Sequence, residues 1–211
     1  MEVTQIKTQK KRKNRFSIFV DGRYRFSMDY NTLISSGLHV GDTVDDHQIE
    51  QLELKDQFAR ARDYSFMLLS YRDRSEYELK NRLSSKGFAH TVAEEVVEFL
   101  KKQKLIDDRV FVDRWLEGVV HSRPMGRIRA VHELRKKRIN RELIEKACSA
   151  KLDRNTENIL ARKAAQKKMG SMNDCLPEVK KRRLFRYLQN RGFAFDIINE
   201  VMEEYFSDNF S

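Results

Sequence analysis

Apolar positions along most of the chain recur at three- and four-residue intervals, and one phrase built on that spacing occurs three times. It reads Leu79-x3-Leu83-x3-Gly87-Phe88-x3-Val92-x3-Val96-Val97. It returns as Ala130-x3-Leu134-x3-Arg138-Ile139-x3-Leu143-Ile144, and again as Leu184-x3-Leu188-x3-Gly192-Phe193-x3-Ile197-Ile198. Leu83, Leu134 and Leu188 lie 51 and then 54 residues apart. Each phrase predicts a helix, a tight turn and a second helix. No single unit can bury its apolar stripe alone, so a period of this length implies tandem units that stack. The fold expected is mainly α, with three tandem three-helix, helix-turn-helix-like repeats in an elongated array. Function is then sought on an extended surface rather than in a single pocket.

The first thirty residues follow a different pattern. Phe16-Ser17-Ile18-Phe19-Val20 and Arg23-Tyr24-Arg25-Phe26-Ser27-Met28 flank Asp21-Gly22. Two aromatic and β-branched runs around Asp-Gly predict a β-hairpin with a type I′ turn. Val3 to Thr8 offers a third strand, and Lys10-Lys11-Arg12-Lys13-Asn14-Arg15 forms a basic loop. A short helix over 31–36 should stop at Gly37. From Asp45 the pattern turns helical, with Leu54, Phe58, Ala61 and Leu68 on one face of a helix reaching about Tyr71. Ser75 with Glu78, and Thr91 with Glu94, read as capping boxes. Asp107 and Asn140 read as N-caps, and Gly170 to Pro177 as a linker. The division expected is a hairpin extension with a short helix over 1–50, then repeats over 51–121, 122–169 and 170–211.

Charge changes the picture from a bare scaffold to a candidate binding surface. The 211 residues carry a formal net charge of +10, which points to polyanionic partners. The charge is segregated: Ser122 to Glu142 holds eight Lys/Arg against two acids, and Arg162 to Arg191 holds ten against two. Asp196 to Asp208 holds five acids and no base. The middle helices of the second and third repeats therefore carry the main functional signal. The candidate nucleic-acid or filament-binding residues are Arg123, Arg127, Arg129, Arg135, Lys136, Lys137 and Arg138. Lys180, Lys181, Arg182, Arg183 and Arg186 are their counterparts in the third repeat. Such clusters neutralise phosphates and release counterions. A solvated helix face is the blander explanation of any one cluster; recurrence at equivalent positions favours a binding role.

Other candidate chemistry is weaker. Asp107-Asp108 reads as a cap and a first-turn carboxylate rather than a metal or acid–base pair. Trp115 and Phe111 read as core, not as a base-stacking platform, and His121 and His132 as surface or boundary residues. Cys148 and Cys175 are isolated from each other and from histidine, which fits a reducing compartment. No phosphate-cradling loop, nucleophile elbow or metal cluster is written in the chain. No enzyme activity, cofactor or metal is expected. There is no apolar run of the ~20 residues a membrane span needs, and no secretory signal, so a cytoplasmic location is expected; the protein is expected to be a monomer.

Three motifs in order now suggest a family. They are Arg74-Ser75-x2-Glu78-Leu79-x3-Leu83-x2-Lys86-Gly87-Phe88, then Leu105-Ile106-Asp107-Asp108-x2-Phe111-x3-Trp115, then Arg123-x2-Gly126-x2-Arg129-x3-Glu133-Leu134-x2-Lys137-x-Ile139. Together they resemble the RecX family over about residues 60–205. The resemblance implies tandem three-helix repeats and a regulator of the RecA recombinase. It further implies binding along the RecA–DNA filament, usually inhibiting strand exchange and ATP hydrolysis, with single- or double-stranded DNA as a second partner. Arg138 stands where the family motif usually has glycine, and Ala130 where a larger aliphatic is usual. A non-glycine left-handed residue costs roughly 1 kcal/mol, so a reshaped second turn is expected. Two other functions fit the same charge pattern: a sequence-tolerant DNA-binding protein without a recombinase partner, and an adaptor for an acidic protein.

Overall fold

The computed structural model describes residues 1–10, 13–173 and 175–207. Lys11 and Arg12 of the basic loop, Asp174 of the linker and Asp208 of the acidic run lie outside them. The chain folds as two units, Met1–Leu105 and Ile106–Ser211.

In the first unit, β1 (Val3–Thr8), β2 (Arg15–Val20) and β3 (Arg23–Asp29) form an antiparallel sheet in the order β1-β2-β3. Asp21 and Gly22 both take positive φ, 48° and 77°, as a type I′ turn requires. Alternation puts Ile18, Val20, Phe26 and Met28 on one face, where they pack with Val3, Leu38, Val44 and Ile49. Helix α1 (Tyr30–Ser36) follows the sheet, and α2 (Asp46–Tyr71) runs for 26 residues. Ile49 near the start of α2 belongs to the sheet core, while Ala61, Ser65 and Leu68 are buried further along. Buried Asp56 ties α2 to the sheet. It accepts the backbone N–H of Asp29 at 2.8 Å and pairs with Arg15 at 3.1 Å and Arg60 at 3.6 Å. Helices α3 (Glu76–Ser85) and α4 (His90–Lys102) pack on α2 to complete the first bundle. Two local expectations differ here. Leu54 is exposed, because the buried stripe runs through Ile49, Asp56 and Ala61. The N-cap of α4 is Ala89 with no side-chain hydrogen bond, so Thr91 and Glu94 sit inside the helix rather than forming a capping box.

The second unit holds α5 (Asp108–His121), α6 (Arg127–Lys136), α7 (Arg141–Lys151), α8 (Arg154–Gly170), α9 (Pro177–Asn190) and α10 (Phe195–Phe206). Asp107 and Asn140 cap α5 and α7 through their side chains. Helix α5 packs on α6 and α7, and α8 on α9 and α10. The apolar stripe of α5 explains its grouping. Phe111, Val112, Leu116 and Val119 share one core with Ala130, Leu134 and Ile144. Helices α5 and α8 thus enter the bundles that follow them, whereas the sequence division at 122 and 170 left each with the preceding repeat.

The three turns are superimposable in their hydrogen bonding. Phe88 N–H donates to Leu83 O, Ile139 N–H to Leu134 O and Phe193 N–H to Leu188 O; the residue before each donates to the carbonyl of Ser84, Arg135 or Gln189. These are the paired bonds that satisfy the last carbonyls of a helix. Gly87 and Gly192 take φ of 92° and 75°. Arg138 takes 57° despite its Cβ, so the second turn is kept rather than reshaped. The bonded turn and the burial of Ile139 behind it outweigh the local strain.

Gly192 meets a second constraint. The amide of Gly126, at the start of α6, donates to Arg191 O at 2.9 Å. A Cβ on Gly126 would fall on the carbonyl of Gly192, and one on Gly192 on the backbone of Arg129. Around Gly87 there is open space. We therefore expect Gly87→Ala to cost about 1 kcal/mol from its left-handed backbone alone. Gly192→Ala should cost about 3 kcal/mol, because overlap with α6 is added. Urea unfolding of the two variants measures the difference; equal losses would mean that the two backbones do not meet.

Candidate nucleic-acid interface

The predicted cations divide into those engaged inside the unit and those facing outward. On α6, Arg127 is held hardest. Its guanidinium donates to Glu145 and Ser149 of α7, both at 3.0 Å. The guanidinium of Arg129 donates to Asn190 O at 2.9 Å, across the junction with α9. Arg135 lies 3.7 Å from Glu145, and Lys136 is paired at 3.5 Å with Glu133 one turn earlier. The Lys137 ammonium sits 5.6 Å from the centre of the Phe111 ring. Arg138 is exposed at the turn, and Arg123 is exposed in the α5–α6 loop. Exposed pairs of this kind contribute about 0–1 kcal/mol each and leave the charge accessible. Arg127 and Arg129 are different: their contacts join α6 to α7 and α9.

On α9, Arg183 donates to the sulfur of Cys175 at 3.2 Å. Among the described residues, Lys180, Lys181, Arg182 and Arg186 have no ion-pair partner. Lys181, Arg182 and Arg186 line an open groove with Phe185 and Gln189. The spacing explains the wall: Arg182, Phe185, Arg186 and Gln189 stand at i, i+3, i+4 and i+7 of one helix face. Asn199 and Met202 of α10 form the opposite side, and Glu178 is the sole carboxylate among its lining residues.

Three of the acids of α10 are engaged away from this groove. Asp196 and Glu200 pair with Arg154 of α8 at 2.7 and 2.6 Å, and Glu204 pairs with Arg162 at 2.6 Å. The segregation of charge in sequence thus resolves into α8–α10 ion pairs and a separate cationic face on α9. The start of α6 meets the end of α9. At 1.5 Å per residue, Arg135 and Lys181 each stand about 13–17 Å along their helices from that junction.

One residue invisible to pattern reading supports the α6 end of the site. Gly126 has no side chain to cap α6, and Glu157 of α8 accepts the Arg127 backbone N–H at 2.7 Å in its place. Burial pushes the Glu157 carboxyl above its ordinary pKa, against the pull of the Arg127 amide and guanidinium. Burial likewise raises the Cys148 thiol. The first unit also holds an aromatic–cation cluster. Arg60 lies 5.6 Å from the Phe88 ring, Lys86 lies 5.6 Å from the Tyr64 ring, and the two rings are 6.4 Å apart. The i, i+4 spacing of Arg60 and Tyr64 was its only trace in the sequence. Among the described residues, no group of three or more His, Cys, Asp or Glu could hold a metal, and no helix is long and apolar enough to cross a membrane.

Family models match the chain in four segments. They are the regulatory protein RecX N-terminal domain at residues 1–45 and the first, second and third RecX three-helix domains at 61–100, 107–147 and 158–202. A regulatory protein RecX of Clostridium acetobutylicum is 30% identical over 213 residues, covering 98% of this chain and 97% of its own. One from Bacillus subtilis is 30% identical, with 96% of this chain and 76% of its own covered. A crystal structure of regulatory protein RecX aligns with a TM-score of 0.66 at 25% identity, over 96% of this chain and 98% of that one.

The Glu157 hydrogen bond yields a test of the α6 support. A carboxyl whose pKa rises on folding stabilises the fold most at low pH, and that contribution is lost as pH rises from the ordinary carboxylate value through the raised one. Glu157→Gln keeps an acceptor for the Arg127 amide and removes the buried charge. Its unfolding free energy should be flatter than that of the parent over this window and no lower at pH 7. Glu157→Ala should lose about 1–2 kcal/mol below that window, where the carboxyl is protonated and accepts the amide, and less above it, where the lost hydrogen bond is partly offset by removal of the buried charge. Urea titrations at several pH values read both effects.

Proposed function

The chain belongs to the RecX family, and from that premise we propose that it inhibits the RecA recombinase by binding along the RecA–DNA filament through its basic helical surface. On this reading it acts as a cytoplasmic monomer in the regulation of DNA repair and homologous recombination. One observation carries the assignment to a surface: Lys181, Arg182 and Arg186 project into an open groove with no ion-pair partner among the described residues. A cation held by an internal carboxylate gains little from a phosphate, whereas these three gain from it in full. Arg135 to Arg138 supply a second patch, and Arg127 and Arg129 hold that patch in place. Binding that blocks the filament needs no reacting group, so no catalytic step is invoked.

The deciding experiment is RecA ATPase on single-stranded DNA, titrated with the protein. Inhibition should appear at concentrations too low to coat the DNA. If inhibition appears only when the DNA is coated, the protein is a sequence-tolerant DNA binder instead. Reversing Lys181, Arg182 and Arg186 together to Glu should weaken filament binding and reduce its salt dependence. For every phosphate no longer neutralised, the log–log slope should become shallower by about 0.7–0.9. Helix content should persist, because Lys, Arg and Glu have similar helix propensity. Arg129→Glu should instead lower stability, because its guanidinium serves the α6–α9 junction. Circular dichroism and thermal melting separate the two classes of variant.

A further inference from the structure

The groove between α9 and α10 has two chemically different walls. The α9 side carries the three cations, and the α10 side carries the amide of Asn199 and the thioether of Met202. Phe195, Asn199 and Met202 stand at i, i+4 and i+7 of α10, so Phe195 shares that face. It is 66% exposed, so most of its ring is open to solvent. Its nearest ring is Phe185, 6.1 Å away at an interplanar angle of 76°. An edge-on arrangement leaves at least one broad face of Phe195 uncovered.

We propose that this groove holds a single-stranded DNA segment, with phosphates on Lys181, Arg182 and Arg186 and an unstacked base against the ring of Phe195. The inference rests on the filament-binding reading above and specifies its ligand. Charge selects a polyanion. The ring selects a strand over a duplex, because a paired base hides its π face inside the stack while an unpaired one offers it. Gln189 and Asn199 each carry a donor and an acceptor, which suits base edges of any identity. A segment of this kind would be held with little sequence preference, as stacking is available to every base.

The test is fluorescence anisotropy of the full chain with a fluorescein-labelled oligo-dT and with a labelled hairpin duplex, each over a range of salt. Phe195→Ala should weaken oligo-dT binding about tenfold, leave the salt slope unchanged and leave the duplex unaffected. Phe195→Tyr should restore oligo-dT binding. In the parent protein, photo-crosslinking of an oligonucleotide carrying 5-iodouracil should map to the peptide containing Phe195, a readout that needs no variant. The proposal is overturned if Phe195→Ala binds oligo-dT like the parent, if strand and duplex binding weaken equally, or if the crosslinks fall elsewhere. It is also overturned if a labelled acidic peptide binds more tightly than oligo-dT and depends on Phe195. Arg182→Glu with Arg186→Glu keeps the two readings apart. Loss of RecA inhibition in that variant, with no effect of Phe195→Ala, sinks the stacked base alone. Unchanged inhibition in the charge variant removes the groove from the functional reading altogether.

Discussion

The near-contact of the Gly126 and Gly192 backbones sets the geometry of the second unit. Two backbone segments approach this closely because Gly126 has no Cβ to meet the Gly192 carbonyl and Gly192 has none to meet Arg129, and the gap is closed by the Gly126 amide on Arg191 O. Around that point the surrounding groups converge. Arg129 reaches Asn190 O, Arg191 reaches Pro124 O at 3.0 Å, and Glu157 caps the start of α6. One apolar core then runs from Phe111 to Met202. The direction in which α6 leaves the junction and the direction from which α9 arrives are both fixed there. So are the places where their cations emerge.

Electrostatics in this unit follow from that framework. Glu145 of α7 and Asp196, Glu200 and Glu204 of α10 are engaged by arginines of α6 and α8, so the formal charge of a segment says little about the charge it shows. Arg127 contributes to the basic count of its stretch yet faces Glu145 and Ser149. Arg182 and Arg186, in a second basic stretch, face a groove. What separates them is the neighbour supplied by another helix. The cationic surface open to solvent here is therefore the remainder left after internal pairing.

The fold was largely legible in the chain because its signals are local. Leu79 and Leu83, Leu134, and Leu184 and Leu188 are all fully buried, as their spacing implies, and Asp21-Gly22 makes the turn its residues favour. Capping was legible where the side chain serves its own helix, as at Ser75, Asp107 and Asn140. It was not legible where the cap comes from elsewhere. Glu157 lies 30 residues from the amide it accepts, and no periodicity encodes that. Arg138 misled for the opposite reason: local strain argued for a different turn, and the buried Ile139 behind it kept the turn unchanged. Grouping of the helices was similarly hidden, since an apolar stripe on α5 shows that it packs without showing on what.

The long helix α2 has a consequence for how the first unit opens. Its first half is clasped to the sheet through Asp56 and Ile49, and its second half is covered by α3 and α4. A helix of this length is hydrogen-bonded continuously, so neither half can fray inward without exposing the other's support. Sheet and bundle are thereby joined into one cooperative block despite their different secondary structure. Amide protons of β2 and of α2 around Ala61 should then exchange with solvent at the same free energy, as members of a single foldon rather than two.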